Sequence, residues 1–250
     1  MTIPSGLTGA ALEALLQVQD LDTALDQHRH RRAALPERAE LASLHDQVAG
    51  LNERLTVACV ARDEVAGRQR ALEDSLAATE ARAAEISKRL YGGTVSATRE
   101  LQAMATEVDV LNGRASDLES RVLELMEGRE PLDADVAGIE GQKASLLRAA
   151  VALGAVLAER EAVIDAEVDD LSGQRAAASA QVPDDLLATY ARLRQRLGGV
   201  GAARLVGSLC QGCHISLAAS ELDQIRRQPP GALIFCEQCG RILVPTQPSS

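Results

Sequence analysis

The order of apolar and polar positions divides the chain before any motif is considered. Stepping by alternate threes and fours from Leu101 to Leu171 visits twenty-one positions, and seventeen of them are Leu, Ile, Val, Met or Ala. The exceptions are Arg129, Lys143, Arg160 and Glu167. A 3.5-residue period sustained that long keeps one stripe of a helix turned toward one partner, which is what supercoiling requires. The same step from Leu44 to Leu90 meets eleven apolar residues in fourteen. Before Pro36 a shifted register runs through Val18, Leu21, Leu25 and Leu35, which predicts a break near that proline. Pro131 should kink or interrupt the second helix for the same reason: it lacks a backbone donor.

Between the two stripes lies "YGGTVS", Tyr91 to Ser96, whose glycines reach positive φ cheaply and so mark a turn. A chain folded back there pairs facing residues whose numbers have a constant sum. Ile86 with Leu101, Leu55 with Leu132 and Val48 with Ile139 all sum to 187, which sets Arg129 opposite the small Ala58. The rival readings of the stripes are a globular helical bundle and a parallel dimer of single long helices, which would leave the Gly-Gly turn without a purpose. The expected fold is therefore mainly α: a long antiparallel coiled-coil hairpin over residues 1–182. A linker helix and a small C-terminal domain follow over residues 183–250.

The pattern changes near Pro183. "PDDLLATYARLRQRLGG" predicts a short helix that starts at the proline, carries acids in its first turn and ends at Gly198 and Gly199. "AARLVGSL" reads as extended, and "SELDQIRRQ" as a short helix capped by Ser220, with Asp223 three residues on. After a Pro229-Pro230-Gly231 turn, "ALIF" and "RILV" bracket a second cysteine pair. Cys210, Cys213, Cys236 and Cys239 have the spacing C-x2-C-x22-C-x2-C. Each C-x2-C turn sets two sulfurs on one side of a tight knuckle, and two knuckles close a tetrahedron around one Zn²⁺. Gly240 supplies the positive φ such a turn often needs. Four thiolates fill the shell, so the metal is structural. Iron in a rubredoxin-like site uses the same ligands, and disulfides would require an oxidising compartment. His214, beside Cys213, reads as a surface or outer-shell residue, Cys59 as a small hydrophobe flanking the seam, and Phe235 as part of the ribbon's own core.

Composition adds little to the stem and more to the partners. Only 1% of residues are aromatic and none is Trp, which disfavours a sheet-based core for most of the chain. No run of eighteen apolar residues spans a membrane, and the N-terminus lacks a basic-then-apolar export signal, so a cytoplasmic protein is expected. Net charge is −10, yet residues 183–250 carry +2, leaving −12 on the stem. Arg192, Arg194, Arg196, Arg204, Arg226, Arg227 and Arg241 are the candidate contacts for nucleic acid or an acidic partner, short of a dedicated basic patch. Tyr91 is a candidate contact at the hairpin tip; its alternative role is to cap the end of the seam. No phosphate-cradling loop, zinc-protease motif or Ser with a base is visible, so no catalytic residue, enzyme activity or small-molecule substrate is expected.

The turn "LYGGTVSATRELQAMATEV", the junction "VPDDLLATYARLRQR" and the knuckles "CQGCHISL" and "CEQCGRIL" resemble a bacterial family of coiled-coil proteins with a C-terminal C4-type zinc ribbon. The resemblance implies a long helical hairpin joined to a zinc ribbon. Some members look like adaptors or chaperones of flagellar and type III secretion systems, with an alternative sigma factor or a transcript among their suggested partners. The specific partner does not carry over, because the Ala- and Arg-rich composition points to a high-GC bacterium. The expected function is a zinc-binding adaptor, scaffold or chaperone-like protein that binds protein partners through the coiled-coil arm and zinc ribbon; the alternative is a regulatory protein that binds RNA or DNA through its basic ribbon. Pairing of two hairpins into a homodimer is open.

Overall fold

The structure is a computed structural model and describes residues 8–229 and 232–246. Among the described residues, five helices and four short strands follow in order. Helix α1 runs over Gly9–Ala33, α2 over Pro36–Tyr91 and α3 over Thr98–Ser179. Helix α4 (Asp184–Arg196) leads into strands β1 (Ala202–Val206) and β2 (Leu209–Cys210). Helix α5 (Ala219–Arg226), β3 (Ile234–Phe235) and β4 (Ile242–Thr246) follow. No described helix is long and apolar enough to cross a membrane.

The heptad stripes are the buried faces. Every stripe position from Leu44 to Leu90 is buried or half-buried, and so is every one from Leu101 to Leu171 except Arg160. The break at Pro36 is real: α1 ends at Ala33, and the proline opens α2, where its missing N–H costs nothing. Pro131 behaves otherwise. It sits inside α3 without interrupting it, so the long helix tolerates the one donor that this residue lacks. At the hairpin turn the two glycines do different jobs. Gly93 takes φ 72°, whereas a Cβ on Gly92 would lie 2.7 Å from the Lys88 carbonyl oxygen. Tyr91 is 84% exposed, which removes its alternative role as a cap on the seam.

By its contacts the chain forms two compact units, one of residues 39–154 and one of the residues up to Arg38 with those from Ala155 onward. In the first unit Leu51, Ala58, Val136 and Ile139 form a buried cluster flanked by Leu55, Cys59 and Leu146. The constant sum of 187 does not hold there. Arg129 donates to Gln69 at 2.9 Å and pairs with Asp133 at 3.0 Å instead of facing Ala58. Gln69 lies eleven residues beyond Ala58, about 16 Å along a helix, which no side chain spans. Gln69 with Arg129 sum to 198, and Arg82 with Glu107, paired at 2.9 Å, to 189. Neither offset from 187, eleven or two, is a whole heptad, so matched apolar stripes alone do not fix which polar side chains meet across the hairpin.

The second unit has the denser core. Leu12, Leu15, Leu16 and Val18 of α1 meet Ala178 at the end of α3 and Val182 just beyond it. Leu186, Tyr190 and Leu193 of α4 join them, together with Ala202, Ile242 and Val244 of the sheet. Strand order is β2-β1-β4-β3, with β1 and β4 parallel and the two outer pairs antiparallel. Alternation along a strand sends successive side chains to opposite faces. Ile242 and Val244 therefore face the helices, and Leu243 turns to the other face with Ala203, Leu205 and the buried cysteines. The ribbon is thus fused to a helical core, and Phe235, expected in a core of the ribbon's own, packs half-buried against that shared one.

Candidate metal centre

The first knuckle grows from the β1–β2 hairpin and the second from the β3–β4 connection. His214 donates its backbone N–H to the Cys210 carbonyl at 2.8 Å, and Gly240 donates to that of Cys236 at 2.7 Å. The two turns are equivalent, and each ends on a residue at positive φ: His214 at 57° and Gly240 at 71°. Cys210 and Cys236 are buried and Cys213 and Cys239 half-buried. Their four sulfurs all lie within 4.8 Å of one another, with Cys210 to Cys239 and Cys213 to Cys236 at 4.0 Å.

The donor set fits zinc. A tetrahedron with Zn–S bonds of about 2.3 Å has sulfur–sulfur edges of about 3.8 Å, close to the spacing found. Cys210, Cys213, Cys236 and Cys239 hold one structural Zn²⁺, and with four thiolates in place no coordination position is left for water. His214 is exposed and outside the cluster. Burial pushes the Cys213 thiol up and the Cys236 thiol up to about 12. Burial also raises Cys239, but hydrogen bonds from the backbone and side chain of Arg241, together with those from Cys236 and Cys213, bring this thiol down to about 7. A metal that deprotonates all four couples its own binding to folding of the ribbon.

Arg241 ties the centre to the helices. Its guanidinium donates to the Val200 and Leu197 carbonyls at 3.1 and 3.3 Å, past the end of α4. Its Cδ crosses the first knuckle so closely that a Cβ on Gly212 would come within 2.6 Å of it. Gly198 and Gly199, at φ 72° and 99°, end α4 as expected, with Gly199 donating to the Arg194 carbonyl. Helix α5 starts differently from expectation. Its N-cap is Ala218 and makes no side-chain bond, so Ser220 lies one residue inside the helix and cannot cap it. Pro230 and Gly231 lie outside the described residues.

The seven candidate arginines separate into two groups. Arg204 pairs with Asp20, Arg194 with Asp26 and Asp22, and Arg241 with the carbonyls above, so these three are fixtures of the fold. Arg192, Arg196, Arg226 and Arg227 are exposed; Arg226 stands 3.7 Å from Asp223. Two buried polar residues of α1 were not singled out from sequence. Gln19 accepts from the Gly201 N–H at 2.7 Å and donates to the Gly199 carbonyl at 3.2 Å, fixing the entry to β1. Asp22 accepts from Arg175 at 2.7 Å and from the Tyr190 hydroxyl at 2.8 Å. The signal was present: Leu15, Val18, Asp22 and Leu25 are a three-four stripe with one acid in it.

A helical hairpin whose two ends converge on a four-cysteine ribbon defines a class of zinc-containing coiled-coil proteins. The model of the CT398-like coiled coil hairpin domain matches residues 18–198, and that of the C4-type zinc ribbon domain matches residues 209–243. The chain belongs to the CT398-like coiled-coil hairpin family. It is similar to the Mycobacterium tuberculosis protein Rv2229c, 31% identical over 239 residues that cover 94% of this chain and 95% of the relative. Among solved structures, one from Mycobacterium smegmatis has a TM-score of 0.81 at 22% identity, covering 96% of this chain and 99% of that one. CT398 from Chlamydia trachomatis has a TM-score of 0.65 at 19% identity, with 94% and 98% covered. At those identities the two structures bear on the fold.

Proposed function

We propose that the protein is a non-enzymatic adaptor that binds protein partners through its helical arm and carries a metal-stabilised zinc ribbon. The observation that carries this reading is a set of outward apolar pairs on α2 and α3. Val57 and Val60, Leu123 and Met126, and Leu147 and Val151 are all exposed, by 42 to 74%. Spacings of three or four put both members of a pair on one helix face, the arrangement by which a helix packs against another helix or into a groove. Single exposed apolar residues are ordinary, but these repeat along faces that the seam does not use. The closed thiolate shell supports the absence of catalysis, because a catalytic zinc keeps a position for water or substrate. Four reduced thiols serving as ligands suit a cytoplasmic setting.

Nucleic-acid binding by the ribbon is supported less well. Arg194, Arg204 and Arg241 are engaged within the fold, which leaves four of the seven candidate arginines exposed, on a chain of net charge −10. Affinity purification of the full chain from its native cell, with and without nuclease, tests the proposal. A reproducible protein partner retained after nuclease and lost on Leu118→Pro, which removes a buried leucine from the stripe of α3 together with a backbone donor, is the expected result. Recovery of RNA or DNA alone, with binding that falls steeply as salt rises, would replace it with the nucleic-acid reading.

A further inference from the structure

A cleft of about 450 Å³ lies between α4 and the second knuckle, lined by Thr189, Arg192, Leu193, Arg196, Phe235 and Gly240. Leu193 and Phe235, a buried and a half-buried side chain, make an apolar wall. Arg192 and Arg196 stand four residues apart on α4, hence on one face of the helix. Neither pairs with a carboxylate among the described residues: Arg192 donates only to the Thr189 hydroxyl at 3.2 Å. Arg196 reaches over Gly240, where an added Cβ would sit 3.8 Å from its guanidinium. Arg241, not Arg196, is the arginine that hydrogen-bonds Cys239. No acidic residue lines the cleft.

We infer that this cleft binds an acidic peptide segment of a protein partner, an apolar side chain lying against Phe235 and Leu193 while flanking carboxylates meet Arg192 and Arg196. The inference rests on the protein-binding reading above and names a second grip, beside the zinc ribbon. Charge complementarity and size argue for this occupant. Guanidiniums form paired hydrogen bonds with carboxylates, and the volume suits one or two side chains. A nucleic-acid strand is a poorer match. Phosphate backbones gain affinity from several cations in succession. Here Arg194, Arg204 and Arg241 are engaged elsewhere, so no track continues from the cleft.

Phe235 is the chain's single phenylalanine, so incorporating fluorophenylalanine gives one ¹⁹F resonance inside the cleft. The zinc-loaded full chain is titrated with the blocked peptide acetyl-Glu-Asp-Leu-Phe-Asp-Glu-amide, with the same peptide carrying Lys at every acid, and with a uridine decamer. The expected result is a saturable shift with the acidic peptide alone, weakened about tenfold in the Arg192→Glu, Arg196→Glu double variant. That variant should keep its zinc and its unliganded resonance, and Arg192→Gln with Arg196→Gln should weaken binding in the same direction. No shift at millimolar acidic peptide, an equal response to the lysine peptide, or a preference for the uridine decamer would overturn the inference. If the peptide fails while affinity purification still returns a protein on the arm, the cleft is dropped and the adaptor reading stands.

Discussion

Replacing Asp22 with Leu removes the one acceptor shared by α1, α3 and α4, and the consequences differ by partner. The carboxylate takes hydrogen bonds from Arg175 at 2.7 and 3.3 Å and from the Tyr190 hydroxyl at 2.8 Å, with Arg194 3.6 Å away. The Arg175 and Arg194 side chains are 38% and 25% exposed, so both can turn toward water and their share is discounted to about 1 kcal/mol together. Tyr190 is 1% exposed and cannot. Its stranded hydroxyl costs about 1–3 kcal/mol, bringing Asp22→Leu to about 3 kcal/mol. In the wild type Tyr190→Phe deletes a hydrogen bond and costs about 1 kcal/mol. In Asp22→Leu it deletes an orphaned hydroxyl and should restore about 1 kcal/mol. Urea titrations followed by far-UV circular dichroism and by zinc release read the four stabilities. A Tyr190→Phe change that destabilises both backgrounds equally would refute the reasoning, since the hydroxyl would then owe nothing to Asp22.

Gly212→Ala should cost about 1–3 kcal/mol, because the new methyl meets Ala203 at 2.9 Å as well as the Arg241 side chain; zinc release at lower urea would show it. The Tyr190 phenol is raised by burial and by its bond to Asp22. A raised acid favours folding while protonated, so its contribution is full below the ordinary tyrosine value of about 10 and is lost as pH rises beyond it. Stability measured from pH 9 to 11 should therefore fall in the wild type and fall less in Tyr190→Phe. Acid acts on the metal instead: protons compete with zinc for the four thiolates, so lowering the pH should release the ion and unfold the ribbon together, as a metallochromic dye would report.

The repeating parts of the molecule were legible from the residues alone. Heptads from Leu44 and Leu101 mark buried faces because burial in a coiled coil depends on period, and period is local information. The cysteine knuckles were legible for a similar reason: two-residue spacers fix the geometry of each pair, and Gly240 announces its own φ. Long-range relations were not. Register along the hairpin escaped because apolar period alone does not say which polar side chains meet across the seam, and Arg129 meets Gln69 rather than Ala58. The fusion of ribbon and helices escaped because its contacts join residues far apart in sequence. Asp22 meets Arg175 and Tyr190, and Gln19 meets Gly201. Each looked like an ordinary polar residue on a helix. Pro131 does not interrupt α3, although it withholds one backbone donor from the helix.

X-ray absorption at the zinc edge, with elemental analysis of freshly isolated full-length protein, tests the metal centre most directly. One zinc per chain with four sulfur neighbours at about 2.3 Å is the predicted result. A chain isolated with iron, with nitrogen or oxygen in the shell, or with its cysteines joined as disulfides and no metal, would contradict it.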